Sequence, residues 1–357
     1  MFPIIDMHCD TTSVIMKPEL TGSGEKKYLL KNDLHIDAER LKKGGYMCQC
    51  FAMFTAKPLI EKTGLTPMEL LLFQNDVWDR EIGACAEFLR PALTGSGIEK
   101  NFKEGFVSAI KTVEEGLVYM GAPENLKLMY DKGVRMSTLT WDYENELAYP
   151  NITMWETVDG AVHSCLDEGL PAWGDKNVKR LWFVPDKERG LKERGREFVK
   201  LMEELGMVID TSHLNDAGID EILRLVRPET PVIASHSNAR AVTDHARNLT
   251  DDFLRRIADH GGVCGMNFAS EFLHGRGDDF TKISDITAHI KYIRKVAGVD
   301  VIGMGSDHDG IGSTLETGGC QGMQLIADAL LKEGFSEDEV EKIMYKNVLR
   351  VFKQVLG

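Results

Sequence analysis

Residues 2–10 read Phe2-Pro3-Ile4-Ile5-Asp6-Met7-His8-Cys9-Asp10, a short apolar run that ends in an imidazole and a carboxylate two residues apart. The run 3–7 has the length and content of a buried strand, and seven more of its kind follow at 47–54, 105–113, 134–140, 207–211, 231–235, 262–268 and 301–305. Amphipathic stretches separate them. Eight buried strands alternating with helices predict an α/β fold, a parallel (β/α)8 TIM barrel. An open doubly wound sheet is the competing arrangement, but it would place a glycine-rich phosphate turn after the first strand. That position holds His8-Cys9-Asp10 instead.

The intervening helices carry start signals. Thr66-Pro67-Met68-Glu69 combines a cap, a proline at the first helical position and a capping-box glutamate, and Ser336-Glu337-Asp338-Glu339 repeats the box. The helix opened at Ser336 has Val340, Ile343, Met344, Val348, Val351 and Phe352 at near-helical spacing, and is expected to pack outside the barrel as a brace. No repeat or Pro/Gly/Ser linker divides the chain, so residues 1–357 are expected to form one barrel domain with a C-terminal helical brace from about 321 to 357. The longest connection, Trp141 to about Pro185, is expected to be weakly structured; it holds Trp155, Trp173 and Trp182. Long barrel loops of this kind serve a site or a subunit contact, or are tolerated insertions.

Acidic residues outnumber basic ones, 56 to 42, and no basic block occurs, which argues against a nucleic-acid partner. The chain lacks a run of roughly 18 apolar residues, and Phe2 to Met7 is too short for a signal-peptide core. The expectation is a soluble, cytoplasmic protein with no membrane partner. Seven cysteines without a CxxC pair fit reduced thiols. Cys9 reads as a small buried hydrophobe.

In a barrel the C-terminal strand ends meet at one face, and the candidate metal ligands fall there. His8 and Asp10 end strand one, Glu114 ends strand three, His213 follows strand five, His236 ends strand six and Asp307 follows strand eight. Residues i and i+2 point the same way, so His8 and Asp10 can grip one ion together. Imidazole and carboxylate suit zinc, and such a set holds two ions when one carboxylate bridges. Asp307 is then spare, as a proton carrier should be. The expectation is a barrel of the metal-dependent hydrolase type. His35, His163, His260, His274 and His289 are expected to be solvated, His308 to reach the site face, and His245 to orient Arg247 or make a structural hydrogen bond.

The chain resembles the membrane dipeptidase family, also called renal dipeptidase or peptidase family M19, nearly end to end. The resemblance rests on Ile5-Asp6-Met7-His8-Cys9-Asp10, Val113-Glu114, Gly133-Val134-Arg135 through Leu139-Thr140, and Leu205 through His213. It continues in Ala234-Ser235-His236-Ser237-Asn238-Ala239-Arg240, His245-Ala246-Arg247-Asn248-Leu249, and Gly303 through Gly310. It implies two Zn2+ per chain, one held by His8 and Asp10 and the other by His213 and His236, with Glu114 bridging. It also implies that a bridging hydroxide attacks free dipeptides, L-D as well as L-L, that Asp307 moves the proton, that Arg247 binds the substrate carboxylate, and that the protein is a homodimer.

Two departures from the family pattern stand out. Where many relatives carry a histidine thought to stabilise the oxyanion, this chain reads Thr138-Leu139-Thr140-Trp141. Trp141, or Asn145 on the same loop, is the candidate substitute on the substrate side; indole donates one N–H but carries no charge. Glu115 follows Glu114 where glycine is often seen, and alignment to the strand favours Glu114 as the bridge. The rival readings are a lactonase or deaminase barrel, which would typically open with H-x-H and use a carboxylated lysine, and a catalytically silent peptide-binding barrel. The H-x-D triplet disfavours the first, and a retained Asp307 disfavours the second.

Overall fold

The computed structural model describes residues 1–171 and 175–357. The barrel strands are β1 (Ile4–Asp6), β2 (Tyr46–Phe54), β3 (Val107–Glu114), β4 (Val134–Thr138), β5 (Val208–Asp210), β6 (Val232–Ser237), β7 (Val263–Met266) and β8 (Ile302–Met304). Each pairs in parallel with the next, and β8 closes on β1 through Met304 and Asp6. All eight predicted runs are strands, with ends shifted by one or two residues. The capping boxes form as read: Thr66 N–H donates to Glu69 Oε2 at 2.8 Å, and Ser336 repeats the pattern with Glu339.

One apolar cluster lies between the strands and the surrounding helices. A second joins Ile5, Met7, Cys48, Cys50, Ile110, Met136, Val208, Ile233 and Val263 to Val348, Leu349, Val351 and Phe352 of the terminal helix Asn347–Leu356. The terminal helix was expected against the outside of the barrel. It shares instead one apolar cluster with residues from seven of the strands, at the mouth opposite the candidate ligands. The space for it comes from β8: a Cβ on Gly303 would lie 2.7 Å from Val263 and 2.8 Å from Val348.

The connection after β4 is also more ordered than expected. Ile152–Thr157, Val162–Ser164 and Val178–Val184 form a three-stranded antiparallel sheet. Trp155 is buried in it, Trp182 is half-buried, and Trp173 lies outside the described residues. The sheet's last strand brings Phe183 against His245, ring centroids 5.9 Å apart, so the insertion reaches the site side of the barrel. Among the described residues, no helix is long and apolar enough to cross a membrane. All seven cysteines are free thiols, and six are buried, Cys9 among them.

Candidate active site

The C-terminal ends of β1, β3, β5 and β6 bring His8, Asp10, Glu114, His213 and His236 together, all buried. Glu114 stands at the centre with its two oxygens facing different partners. Oε2 lies 3.3 Å from His8 Nε2; Oε1 lies 3.0 Å from His213 Nε2 and 3.4 Å from His236 Nε2. Asp10 Oδ2 is 3.3 Å from His8 Nε2, and Asp10 Oδ1 is buried without a partner. Asp307 joins the cluster from the loop after β8, Oδ1 3.7 Å from His8 Nε2, while its Oδ2 accepts from Asn267 Nδ2 at 2.9 Å.

Several backbones here are held in unusual conformations. His213 (φ 69°), Asp307 (φ 61°) and Glu115 (φ 79°) are left-handed, a strain that persists only where the surroundings over-determine it. Gly310 makes room for the acids: a Cβ there would lie 2.2 Å from Asp10 Oδ2 and 2.5 Å from Asp307 Oδ1.

A second layer of hydrogen bonds orients these groups. Asp210 accepts from the Ser212 and Ser235 N–H groups at 3.0 and 2.9 Å, and Ser235 Oγ, which also bonds Asp210, contacts His236 Nδ1 at 2.8 Å. Asp6 plays the same part across the barrel, accepting from Ser306 N–H at 2.9 Å and Ser306 Oγ at 2.6 Å. His213 Nδ1 is backed directly by Asp142 Oδ1 at 3.1 Å. The sequence reading missed Asp142, Asn267 and the two Asp–Ser pairs. The available signal was their position, at strand ends or one residue from a candidate.

The electrostatics follow from burial and crowding. Burial opposes a charged His8, yet the Glu114 charge and hydrogen bonds with Asp10 and Glu114 carry its pKa well above the usual value. Burial would raise Glu114, but His8 and three histidine hydrogen bonds hold it well below the carboxylate range. Burial, then the charge of Glu114, pushes Asp10 up to about 7.

Glu115 turns away from the cluster. It accepts from Leu117 N–H (2.8 Å), Trp141 N–H (2.9 Å) and Asn145 Nδ2 (2.6 Å), tying the loop after β3 to the loop after β4. This corrects the expectation for Asn145. Its amide also donates to Leu139 O at 2.8 Å and accepts from Leu147 and Ala148 at 2.7 and 3.2 Å, so it has no capacity left for substrate. Trp141 is half-buried between Phe54 and His213, ring centroids 5.0 and 5.8 Å away.

Arg247 is 5% exposed, its Nε has no partner, and its one side-chain hydrogen bond among the described residues is to His236 O at 3.4 Å. Burial lowers its pKa, against the pull of Asp142 first and then Asp307 and Glu114. A buried, under-bonded guanidinium beside the cluster is a ready site for a carboxylate. His245 supports the turn by accepting from the Arg247 backbone N–H at 3.1 Å; burial, then the Arg247 charge, lowers it to about 4 and keeps it neutral.

The remaining histidines correct the solvated expectation in part. His289 is fully buried, its Nδ1 accepting from Ala239 N–H at 3.1 Å and its Nε2 donating to Leu273 O at 3.0 Å. His35 is tied to Asp309 by reciprocal bonds of 2.7 and 3.1 Å; His308, expected at the site face rather than in solvent, is buried against Ser306 Oγ at 2.6 Å.

The donor chemistry fits divalent cations. Three triads can each hold an ion: His8, Asp10 and Glu114; Glu114, His213 and His236; and His8, His236 and Asp307. The first two share Glu114, one oxygen for each, and Asp10 Oδ1 has no hydrogen-bond partner among the described residues.

A closed parallel barrel with such a cluster at its C-terminal mouth defines a metal-dependent hydrolase barrel. The chain belongs to the membrane dipeptidase family, peptidase family M19, which it matches over residues 1–182 and 171–356. It is accordingly a dipeptidase of the metallopeptidase kind. It is 30% identical over 291 residues to an uncharacterised protein of the pqqA 5′ region of Klebsiella pneumoniae, covering 81% of this chain and 97% of that one. An uncharacterised dipeptidase of Schizosaccharomyces pombe is 33% identical over 236 residues, 64% of this chain and 48% of the relative. The fold matches that of a metallopeptidase from Rhodobacter sphaeroides, solved with a phosphinate mimic of L-Ala-D-Ala, at TM-score 0.79 and 23% identity over 99% of both chains.

Proposed function

We propose that the protein is a dinuclear zinc dipeptidase that cleaves free L-L and L-D dipeptides. The observation that carries this reading is Glu114, whose two oxygens face two separate ligand sets, His8 with Asp10 and His213 with His236. When bound there, a pair of zinc ions supplies Lewis acidity at the scissile carbonyl and lowers the pKa of water. Asp307, with one oxygen anchored by Asn267 and the other facing the cluster, takes the proton from the attacking water and hands it to the leaving amine. Arg247 binds the substrate carboxylate, and Trp141, packed on Phe54 and His213, stands on the substrate side. The L-D range is supported by the L-Ala-D-Ala mimic bound by the Rhodobacter sphaeroides relative. Family resemblance further suggests a homodimer, and the buried free thiols suit the cytoplasm.

The test is substrate length. Free dipeptides should be cleaved with zinc restored, and tripeptides and N-blocked peptides poorly. Arg247→Ala should raise KM roughly 10- to 150-fold, the loss of about 1.5–3 kcal/mol for hydrogen bonds to a charged group. Equal rates on dipeptides and tripeptides, or unchanged kinetics in the variant, would remove Arg247 as the anchor.

A further inference from the structure

The two histidines facing Glu114 Oε1 are backed in different ways. His236 Nδ1 meets the hydroxyl of Ser235, and the aspartate behind it, Asp210, is one bond further away. His213 Nδ1 meets a carboxylate directly, Asp142 Oδ1 at 3.1 Å. That contact is Asp142's one hydrogen bond among the described residues; its charge also acts on Arg247, but no lysine or arginine among them bonds it directly. Asp142 comes from the loop after β4, and its neighbour Trp141 packs its ring 5.8 Å from that of His213. His213 itself sits at φ 69°, so its direction depends on outside contacts.

We propose that Asp142 is a positioning residue for the metal centre: it fixes His213 with its proton on Nδ1, leaves Nε2 free as a ligand, and strengthens the ion shared by His213 and His236. A carboxylate behind a ligand imidazole holds ring orientation and tautomer and raises the basicity of the ligating nitrogen. The inserted sheet that follows Asp142 is thereby tied to the metal site through His213, whereas His8 and Asp10 make no hydrogen bond to this loop among the described residues. The proposal rests on His213 being a metal ligand.

The experiment is a zinc titration of the metal-free protein against a chromophoric chelator, resolving two affinities, with thermal melting of the metal-free form alongside. Asp142→Ala should weaken one ion by about 10- to 100-fold and leave the other and the metal-free melting temperature unchanged. Asp142→Asn should recover part of the loss, because its amide oxygen still accepts from Nδ1–H but lacks the charge. His213→Ala should lose the same ion outright. Wild-type affinity for both ions in Asp142→Ala, with one ion lost in His213→Ala, would overturn the positioning role alone. Equal weakening of both ions with a lower metal-free melting temperature would overturn it in favour of a structural role. Two ions held normally by His213→Ala would overturn the ligand reading and the proposal with it.

Discussion

The two mouths of the barrel are built from the same eight strands but filled with opposite chemistry. At the N-terminal mouth, Val348, Val351 and Phe352 of the terminal helix close over Ile5, Met7, Val208 and Val263, all buried and all apolar. At the C-terminal mouth, His8, Asp10, Glu114 and His236 are as deeply buried and almost wholly polar. Among the described residues, four of the five non-glycine residues with positive φ, Glu115, His213, Asp307 and Asp309, flank this second mouth. Burying charge and holding strained backbone both cost stability unless something compensates. The apolar mouth supplies stability and the polar mouth spends it on a preformed site, so changes at the two ends should separate cleanly.

The largest expected effect is at the polar mouth. Asp307→Asn should lower kcat by about 10²- to 10⁴-fold, as removal of a general acid/base does, with two ions retained. Metal analysis and kinetics check this together; loss of an ion would make Asp307 a ligand, as its place beside His8 and His236 permits. At the other mouth, Phe352→Ala should cost about 3–5 kcal/mol of stability while the folded fraction keeps normal kcat and metal content. A drop in kcat of the folded enzyme would break the separation of the two ends.

A smaller effect concerns the support of the polar mouth. His289 fastens Ala239 and Leu273, on the loops after β6 and β7, and burial lowers its pKa from 6.5 to about 4. A histidine depressed on folding contributes stability above its unfolded pKa, and that stability is lost as pH falls through the folded value. Below pH 6.5 the unfolded chain gains a proton that folded His289 refuses, so up to about 3 kcal/mol should be lost by pH 4. Hydrogen exchange should rise in residues 238–249 and 267–274 before it rises in the terminal helix. Simultaneous opening of both ends would contradict a mouth-specific support.

The strands were legible because each is a short apolar run between helix signals, and the five residues that cluster at the mouth were legible because a barrel gathers strand ends. What escaped was contact between loops. Asn145 reads as a polar residue free for substrate until its partners, Glu115, Leu139, Leu147 and Ala148, use every donor and acceptor. Asp142 and Asn267 act through side chains 71 and 40 residues away in sequence, His213 and Asp307, and no periodicity marks such pairs. The terminal helix carries the same spacing whether it packs beside the barrel or across its end. Gly303, where a Cβ would lie 2.8 Å from Val348, leaves room for the packing across the end.

The central claim is a pair of ions bridged by Glu114, and counting metal against activity tests it most directly. Elemental analysis of the purified protein during stepwise zinc return after chelation should give two ions per chain, with hydrolysis of L-Ala-L-Ala lost on chelation and fully recovered only at the second equivalent. Glu114→Gln should hold both ions more weakly. Full activity at one ion per chain, or two ions bound as tightly in Glu114→Gln as in the wild type, would contradict the account.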